Sequence, residues 1–414
     1  MRIVVLGGGV VGVTTAYQLQ RDGHEVVILE GRGEVAAGAS WGNAGMIAPG
    51  HSFVWSSPRA PMILAKSVLS RNQALRFKFS ADPRLYAWTW GFLKECTPAK
   101  ARRNTLLKHR LAAYSQSVLQ SVVAEEAIAY DRNTRGILYL HRSQGALEEG
   151  VEHMKLLESD GQLIKVLDRD QVVALDPALA RAADRIAGAI LCPTDETGDC
   201  AKFTRALAAR IVERGGEIVA GATIVGLPSD GDRVTRALTD RGPFAGDAYV
   251  LALGADSPRL ARTVGVRLPI YPIKGYSLTI PVGASRSPPT IACVDEHNLV
   301  AVSRFGDRLR VTATAEFAGY DVGHKPSDFV FMKRVASELY PDGAEYDRVE
   351  MWAGLRPMTP TNLPFLGPAR LRNLFLNAGH GHIGWTMSHG SARIIADIVA
   401  GRTPAIPMDG LTAA

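Results

Sequence analysis

The N-terminal stretch RIVVLGGGVVGVTTAYQLQRDGHEVVILE constrains the fold more than any other part of the chain. Residues 2–6 form a continuous aliphatic run, which is typical of a strand buried on both faces. The turn that follows contains Gly7, Gly9 and Gly12 in the spacing GxGxxG, and an apolar helical periodicity then continues to Gly23. A second aliphatic run ends at Glu30. This pattern predicts a strand, a tight turn, a helix and a second buried strand.

Each part of this unit suits the ADP half of a dinucleotide. The first glycine allows the sharp turn, the second lets the backbone approach a pyrophosphate, and the third lets the helix pack on the strand. The helix N-terminus supplies free N–H groups and the positive end of its dipole. Glu30 lies close to the offset of roughly 20 residues at which an acid binds the ribose hydroxyls, and it disfavours NADP by repelling a 2′-phosphate. FAD and NAD both contain ADP, so the motif does not distinguish them.

The segment GRGEVAAGASWGNAGMIAPG follows the second strand. It is small, glycine-rich and without periodicity, which predicts a loop rather than the further helix expected of an NAD-binding domain. Such a loop lies flat along a cofactor and offers it backbone N–H groups. We therefore predict that this loop contacts the cofactor beyond the ADP.

A second glycine-rich turn, GHGHIGW at residues 379–385, lies between a short aliphatic strand and an apolar helix. It places another helix N-terminus beside a group that gains negative charge, as a flavin does on reduction. NAD needs no such turn far along the chain, so this pattern favours FAD. His380 is expected to pack or to position the backbone, while His382 is left open between lining a pocket and packing. Without a carboxylate cluster nearby, no metal site is expected.

Length and composition limit the class of protein. A chain of 414 residues is too long for one compact core and indicates about two domains. Residues 70–130 are predicted to be helical, and residues 270–315 alternate as in a mainly antiparallel sheet. The prediction is an α/β protein in which a parallel nucleotide-binding sheet is combined with a separate antiparallel sheet.

Net charge and cysteine spacing limit the possible binding partners and the cellular compartment. The net charge of +6 is a mild excess, without a basic stripe interleaved with aromatic residues, so nucleic-acid binding is not expected. The four cysteines have no CxxC pairing, which fits a reduced, cytoplasmic setting. No apolar run is long enough to span a bilayer. Peripheral contact with the inner face of the plasma membrane, and formation of an oligomer, are left open.

Seven motifs together resemble the D-amino acid dehydrogenases of the FAD-dependent D-amino acid oxidase superfamily. They are GGGVVG, NAGMIAPG, DETGDCAKFT, LALGADS, PIKGYSLT, WAGLRPMTP and NAGHGHIGWTMSHGSAR, and they span nearly the whole chain. The resemblance implies a glutathione-reductase-like FAD domain interleaved with a substrate domain. It places the FAD domain in residues 1–75, 198–265 and 350–414, and the substrate domain in residues 76–197 and 266–349.

The resemblance also implies the site residues. Arg356 would pair with the substrate carboxylate through two parallel hydrogen bonds. Tyr276, Tyr271 and His382 are further candidates for the substrate site. The residues expected to contact FAD are Gly7, Gly9, Val10, Gly12, Glu30, Ser40, Asn43, Ala44, Gly45, Met46, Val225, Gly254, Gly381, His382, Ile383, Gly384 and Thr386.

The expected reaction is oxidation of a D-amino acid by hydride transfer from Cα to flavin N5, which gives an imino acid and then a keto acid. Departures from the family pattern fall near the expected pocket: Thr361-Asn362 replaces Asp-Gly, and His382 replaces Thr. A cyclic substrate such as D-proline or hydroxy-D-proline is therefore one hypothesis. The alternatives are a sarcosine- or glycine-type amine oxidase, an NAD-dependent dehydrogenase and a non-catalytic FAD-binding subunit. The electron acceptor, whether oxygen, a quinone or a partner protein, is left open.

Overall fold

The computed structural model describes residues 1–69, 74–78, 82–284 and 286–412. The helices are α1 (Val10–Arg21), α2 (Ala60–Leu69), α3 (Pro83–Glu95), α4 (Pro98–Glu126), α5 (Gln144–Glu158), α6 (Arg169–Leu175), α7 (Cys200–Glu213), α8 (Ser257–Thr263), α9 (Val330–Leu339) and α10 (Gly384–Val399). The strands are β1 (Arg2–Leu6), β2 (Glu25–Glu30), β3 (Met46–Ile47), β4 (Leu75–Phe77), β5 (Ile137–His141), β6 (Lys165–Asp168), β7 (Gly188–Cys192), β8 (Glu196–Thr197), β9 (Glu217–Ala220), β10 (Ile224–Gly226), β11 (Ser229–Asp230), β12 (Arg233–Val234), β13 (Ala237–Thr239), β14 (Gly242–Phe244), β15 (Ala248–Leu251), β16 (Tyr271–Pro281), β17 (Ala292–Asp295), β18 (Val300–Phe305), β19 (Arg308–Phe317), β20 (Glu350–Met358), β21 (Phe365–Pro368) and β22 (Leu374–Ala378).

The N-terminal strand β1 lies inside a six-stranded sheet of order β21-β22-β15-β1-β2-β9. All its pairs are parallel except the edge pair β21–β22. Its central strands are almost entirely aliphatic because helices cover both faces, as in other parallel sheets. The turns after β1, β2, β15 and β22 therefore all lie at one edge of the sheet, which brings together two glycine-rich turns more than 370 residues apart in sequence.

Helices α1 and α10 pack against each other on one face of this sheet. Thr14 Oγ1 lies 3.3 Å from the Ser388 carbonyl oxygen, and Arg393 donates a hydrogen bond of 3.2 Å to Gln18. Neither Gly9 nor Ile383, the residue before each helix, makes a side-chain cap, although Ser40 Oγ accepts a hydrogen bond from Val10 N. The sheet edge thus carries two helix N-termini with further N–H groups that are available to a ligand.

A nine-stranded, mainly antiparallel sheet forms the second layer, with the order β20-β16-β19-β18-β17-β5-β7-β6 and with β4 paired to β19. The long strand β16 lies between β20 and β19, and its pairing with β19 is irregular between Lys274 and Tyr276. Ile273 of β16 lies opposite Arg356 of β20. The end of β20 reaches the other sheet: Met358 forms a bridge with His380, and Gly381 N donates to the Pro357 carbonyl oxygen. This strand therefore connects the antiparallel sheet to the second glycine-rich turn.

Two details differ from the sequence predictions. The prediction of a helical segment over residues 70–130 is wrong in part, because residues 75–77 form a strand on β19 and the helices α3 and α4 are separated at Cys96-Thr97. Residues 70–73 and 79–81 of that segment lie outside the described residues. Strand β20, which was assigned to the FAD domain, pairs within the antiparallel sheet. The remaining domain boundaries stay a prediction.

Candidate functional site

Two glycines of the first turn, Gly7 and Gly12, leave no room for a side chain without moving the backbone. Gly7 has a φ of +115°, and a Cβ on Gly12 would lie 1.8 Å from the Gly7 carbonyl oxygen. Because glycine has no side chain at these two positions, α1 can begin directly after the turn. Ser40 contacts the same helix terminus, since its Oγ accepts a hydrogen bond of 3.0 Å from Val10 N. The predicted residues Gly7, Val10, Gly12 and Ser40 are thus in one place.

Glu30 is fixed beside this turn. Its carboxylate accepts hydrogen bonds from Gly8 N at 2.7 Å and from Arg32 N at 2.8 Å. Its backbone carbonyl oxygen accepts from Ala222 N. Val225, also predicted to contact the cofactor, is 61% exposed and lies beyond this contact along the chain. Gly254 follows β15, whose end at Ala252 and Leu253 touches Gly7.

The loop after β2 is pinned by a buried arginine. Arg310 of β19 is 2% exposed, and its Nη1 donates to the carbonyl oxygens of Trp41 at 2.7 Å and Asn43 at 3.1 Å. Burial lowers the pKa of Arg310 to about 10. Gly45 N donates to Asn43 Oδ1 at 2.7 Å, and a Cβ on Gly45 would lie 2.1 Å from the Phe305 ring. Asn43, Ala44, Gly45 and Met46 are therefore held in a single conformation.

Thr386 joins this loop to the second turn. Its hydroxyl accepts a hydrogen bond of 3.1 Å from Ala48 N and lies 3.3 Å from the Met46 carbonyl oxygen. Because Thr386 is in the first turn of α10, the two segments predicted to contact the flavin meet at this residue. The predicted residues Gly381, His382, Ile383 and Gly384 lie immediately before it.

The two turn histidines have different surroundings. His380 is 3% exposed and its Nε2 lies 3.0 Å from Ser391 Oγ, so it packs as expected, and burial lowers its pKa to about 3. His382 is half-buried, and neither of its ring nitrogens has a hydrogen-bond partner among the described residues. Its ring stacks on Trp55 at 4.9 Å between centroids and meets His51 edge-on at 6.0 Å. Burial, with Lys108, His51 and Arg356 nearby, holds the pKa of His382 well below its usual value.

Arg356 lies close to His382 on the antiparallel sheet. Its Nη1 donates to the carbonyl oxygens of Thr314 at 2.8 Å and Lys274 at 3.4 Å. A Cβ on Gly275 would lie 2.4 Å from its guanidinium carbon, so a glycine in the neighbouring strand makes room for the group. No carboxylate pairs with Arg356 within the described ranges, and burial lowers its pKa to about 10. This guanidinium is therefore available to an anion from outside the chain.

The structure places Tyr271 and Tyr276 in the interior of the antiparallel sheet, where they are 1% and 2% exposed. Tyr271 packs with Trp88 and Phe317. The Tyr276 hydroxyl donates to Glu316 at 2.6 Å. Neither ring contacts the His382 ring among the described residues, and the role of both tyrosines at the substrate site stays a prediction.

Sequence reasoning missed several residues here, which are Gly275, Arg310, His51, Trp55 and Lys108. His51 and Trp55 follow the predicted flavin loop directly, so their position was a usable signal. No signal in the sequence indicated Lys108, since a lysine in a helix rich in charged residues is expected to be exposed. As for metals, no three His, Cys, Asp or Glu side chains cluster as ligands in the described part of the chain.

These features test whether the residues fit an extended dinucleotide. The glycine turn with an acid at the next strand end accommodates ADP. The second helix N-terminus lies at the same sheet edge, three strand spacings or about 14 Å from Glu30. A loop running between them offers backbone groups. The site thus defines a flavoprotein that binds FAD rather than a nicotinamide dehydrogenase.

The family model described as "FAD dependent oxidoreductase" (DAO) matches residues 2–398, and the chain belongs to this family. The chain is 44% identical over 412 residues to "D-amino acid dehydrogenase 2" of Mesorhizobium japonicum, covering 99% of both proteins. It is 42% identical over 414 residues to a D-amino acid dehydrogenase of Paramagnetospirillum magneticum, covering 99% of this chain and 98% of the other.

Solved structures share the fold at low sequence identity. Glycine oxidase from Geobacillus kaustophilus superposes with a TM-score of 0.77 at 23% identity and covers 100% of this chain and 98% of its own. L-proline dehydrogenase from P. horikoshii gives a TM-score of 0.77 at 17% identity, with 100% and 96% covered. The family confirms the predicted FAD cofactor, and these structures confirm the predicted α/β fold class.

Proposed function

We propose that this protein catalyses the FAD-dependent oxidative deamination of a D-amino acid. The observation that carries the proposal is Arg356, a half-buried cation without a carboxylate partner among the described residues, placed beside the second turn. The curated relatives that share over 40% of their residues with this protein are named for the same activity.

Arg356 would hold the α-carboxylate of the substrate. One of its terminal nitrogens is already fixed by backbone carbonyl oxygens, which sets the plane of the guanidinium. The remaining N–H groups would grip both carboxylate oxygens. Holding the substrate in a reactive orientation contributes several kcal/mol, up to roughly 7–11 in ideal cases.

Arg356 would orient the substrate Cα–H, and the hydride acceptor would be supplied by FAD when it is bound. The N–H groups at the start of α10 would stabilise the negative charge that results. The substrate ammonium group has to lose a proton before an imine forms. Arg356 favours this loss because neighbouring positive charge lowers the pKa of an ammonium group. Neutral His382, with both ring nitrogens unpartnered in the described structure, would accept a hydrogen bond from the substrate amine.

Anaerobic mixing of the yellow holoenzyme with a substrate panel tests this function. The panel contains acyclic D-amino acids, D-proline, hydroxy-D-proline, L-enantiomers, sarcosine and glycine. We expect a D-amino acid to bleach the visible flavin absorption. Faster bleaching by sarcosine or glycine would favour the amine-oxidase alternative. Glycine oxidase shares this fold, so the alternative has to be tested. Retained colour with every compound would indicate a non-catalytic FAD-binding subunit.

One surface of the molecule leads to a narrower proposal for the electron acceptor and the cellular compartment. We propose a cytoplasmic protein that touches an acidic membrane through α2 and α3 and passes electrons to a quinone. No helix in the described ranges is both long and apolar enough to cross a bilayer. Among the side chains that the structure describes on these two helices, the exposed apolar ones are Met62, Ile63, Tyr86, Trp90 and Leu93. Lys94 lies over the Trp90 ring at 5.1 Å and would face lipid headgroups.

Vesicle sedimentation tests the membrane contact. The protein should sediment with phosphatidylglycerol vesicles and much less with phosphatidylcholine, and Trp90→Ser should weaken the association. Equal binding to both lipids, or an unchanged variant, would contradict it. The rate at which the reduced protein is reoxidised by a soluble quinone, compared with oxygen, identifies the acceptor.

A further inference from the structure

A lysine is buried at the junction of α4, α10 and the turn Pro49–His51. Lys108 is 1% exposed, although lysine is almost never fully buried without a partner of opposite charge. Its Nζ donates a hydrogen bond of 3.3 Å to the Phe53 carbonyl oxygen. No carboxylate pairs with it in the described ranges. Burial lowers the pKa of Lys108 to about 7.

Lys108 is part of a group of cation-forming side chains that converge on His382. Lys108 lowers the pKa of both His51 and His382, whereas Arg356 acts on His382 alone. Lys108 Nζ is bonded to the Phe53 carbonyl oxygen, and Phe53 lies between His51 and Trp55, which both contact His382. Two acids, Asp195 and Glu296, act on Tyr139, whose ring stacks on His51 at 5.6 Å.

Those acids do not neutralise Lys108. Asp195 accepts hydrogen bonds from Gly50 N at 3.1 Å and from the Tyr139 hydroxyl at 3.0 Å, and burial raises its pKa to about 7. Burial also raises the pKa of Glu296 to about 7. Neither carboxyl group affects the pKa of Lys108, which is governed by burial alone.

A buried ammonium group without a counter-charge destabilises a fold, because it has lost its hydration and gained little in return. Such a group is compensated when a ligand brings the opposite charge. Arg356 already matches one carboxylate of a D-amino acid. A second buried cation near the same histidine exceeds what a substrate with a neutral side chain can use.

We propose that Lys108, together with His51 and His382, recognises a second negative charge, and that the preferred substrate is a D-amino acid whose side chain ends in a carboxylate. This inference rests on the proposed function, since it takes Arg356 as the partner of the α-carboxylate. It makes Lys108 a specificity-determining residue and favours an acidic, acyclic substrate over a neutral cyclic one.

Binding of redox-inert carboxylates to the holoenzyme tests the inference without turnover. Succinate and butyrate have the same number of carbons and differ by one carboxylate, and glutarate and pentanoate form a second pair. Each is titrated while the perturbation of the flavin spectrum is followed. We expect the better dicarboxylate to bind at least tenfold more tightly than its monocarboxylate partner. Equal affinity within both pairs would overturn the proposal.

The lysine itself is tested with Lys108→Met, which keeps the length and apolar stem of the side chain. This variant should lose the preference for the dicarboxylate, and Lys108→Arg should keep part of it. The matched control is Lys100→Met, because Lys100 is an exposed lysine of the same helix that pairs with Glu95. The control should keep the full preference. A preference that survives in Lys108→Met would remove Lys108 from the site.

A kinetic comparison separates this inference from the proposed function. D-Glutamate and D-glutamine are nearly isosteric and differ in side-chain charge. The native enzyme should favour D-glutamate in kcat/KM, and Lys108→Met should reverse or abolish that ratio. If neither carboxylates nor D-amino acids act on the flavin, the proposed function fails. If D-amino acids react but D-glutamine equals D-glutamate, only the present inference fails. Visible absorption and thermal midpoints of the variants show whether the holoenzyme has formed.

Discussion

The two glycine-rich turns share one plan, a parallel strand followed by a helix with an open N-terminus, yet their surroundings differ. The first turn, Gly7–Gly12, is closed by its own backbone, by Ser40 and by the carboxylate of Glu30. The second turn, Gly379–Gly384, is surrounded by His51, Trp55, Lys108 and Arg356, which come from distant parts of the sequence.

This difference separates holding a cofactor from using it. Backbone N–H groups suffice to bind a pyrophosphate that is the same in every FAD protein. A substrate has to be selected and oriented, which needs side chains with direction and charge. The first turn should therefore be sensitive to shape, and the second to the chemistry of the side chains around it.

The largest effect is expected from Gly12→Ala at the first turn. The added Cβ would meet the Gly7 carbonyl oxygen at 1.8 Å, and both partners belong to the backbone, so the turn has to open. Overpacking of this kind costs about 1–3 kcal/mol, occasionally more. We expect the purified variant to lose its FAD, measured as visible absorption per mole of protein.

The control for this change is Gly33→Ala, close to the same turn. A Cβ at Gly33 would have no atom within 4 Å, and no positive φ is required there. This variant should retain full FAD content. Normal FAD binding by Gly12→Ala would show that the turn tolerates opening and would break the proposed distinction between the two turns.

At the second turn, Arg356→Met should act on the substrate and leave the cofactor in place. Removing one partner of a desolvated charge pair costs about 2–5 kcal/mol. We expect kcat/KM for a D-amino acid to fall by about two to three orders of magnitude, mainly through KM. Arg356→Lys keeps the charge without the planar fork and should recover only part of the loss. Near-normal kinetics in Arg356→Met, with FAD bound, would remove this residue from the site.

The link between the flavin loop and α10 gives a smaller effect. Thr386→Val keeps the shape of the side chain but leaves the N–H of Ala48, which is 1% exposed, without its acceptor. An unsatisfied buried donor costs about 1–3 kcal/mol. The free energy of unfolding in urea should fall by that amount, while Thr386→Ser should stay close to the native protein. An unchanged Thr386→Val would show that this hydrogen bond contributes little to holding the loop.

The same contrast explains what could be predicted from the sequence. Strand β1, the first turn, α1 and Glu30 follow from local spacing, and the second turn follows from the same pattern. The chemical surroundings of the second turn do not, because Lys108 and Trp55 approach it only through the packing of α4 and the loop before α2. Strand β4 was missed for a related reason: three residues form a strand there only because β19 offers an edge to pair with.

The effect that is smallest at neutral pH is a pH dependence confined to the second turn. Burial lowers the pKa of His380 to about 3 in the folded protein, while the unfolded chain has the ordinary value of 6.5. Below pH 6.5 the unfolded state therefore binds more protons than the folded state, and stability falls as the pH drops towards 3. One such histidine contributes at most about 1.4 kcal/mol per pH unit.

In His380→Gln, whose amide can still donate to Ser391, the free energy of unfolding measured in urea between pH 6.5 and 4 should therefore decline less steeply with acid. The slopes of the two proteins should agree above pH 7. Equal slopes in the acid range would mean that His380 is protonated as easily when folded as when unfolded, and that the second turn admits water or charge that its packing does not indicate.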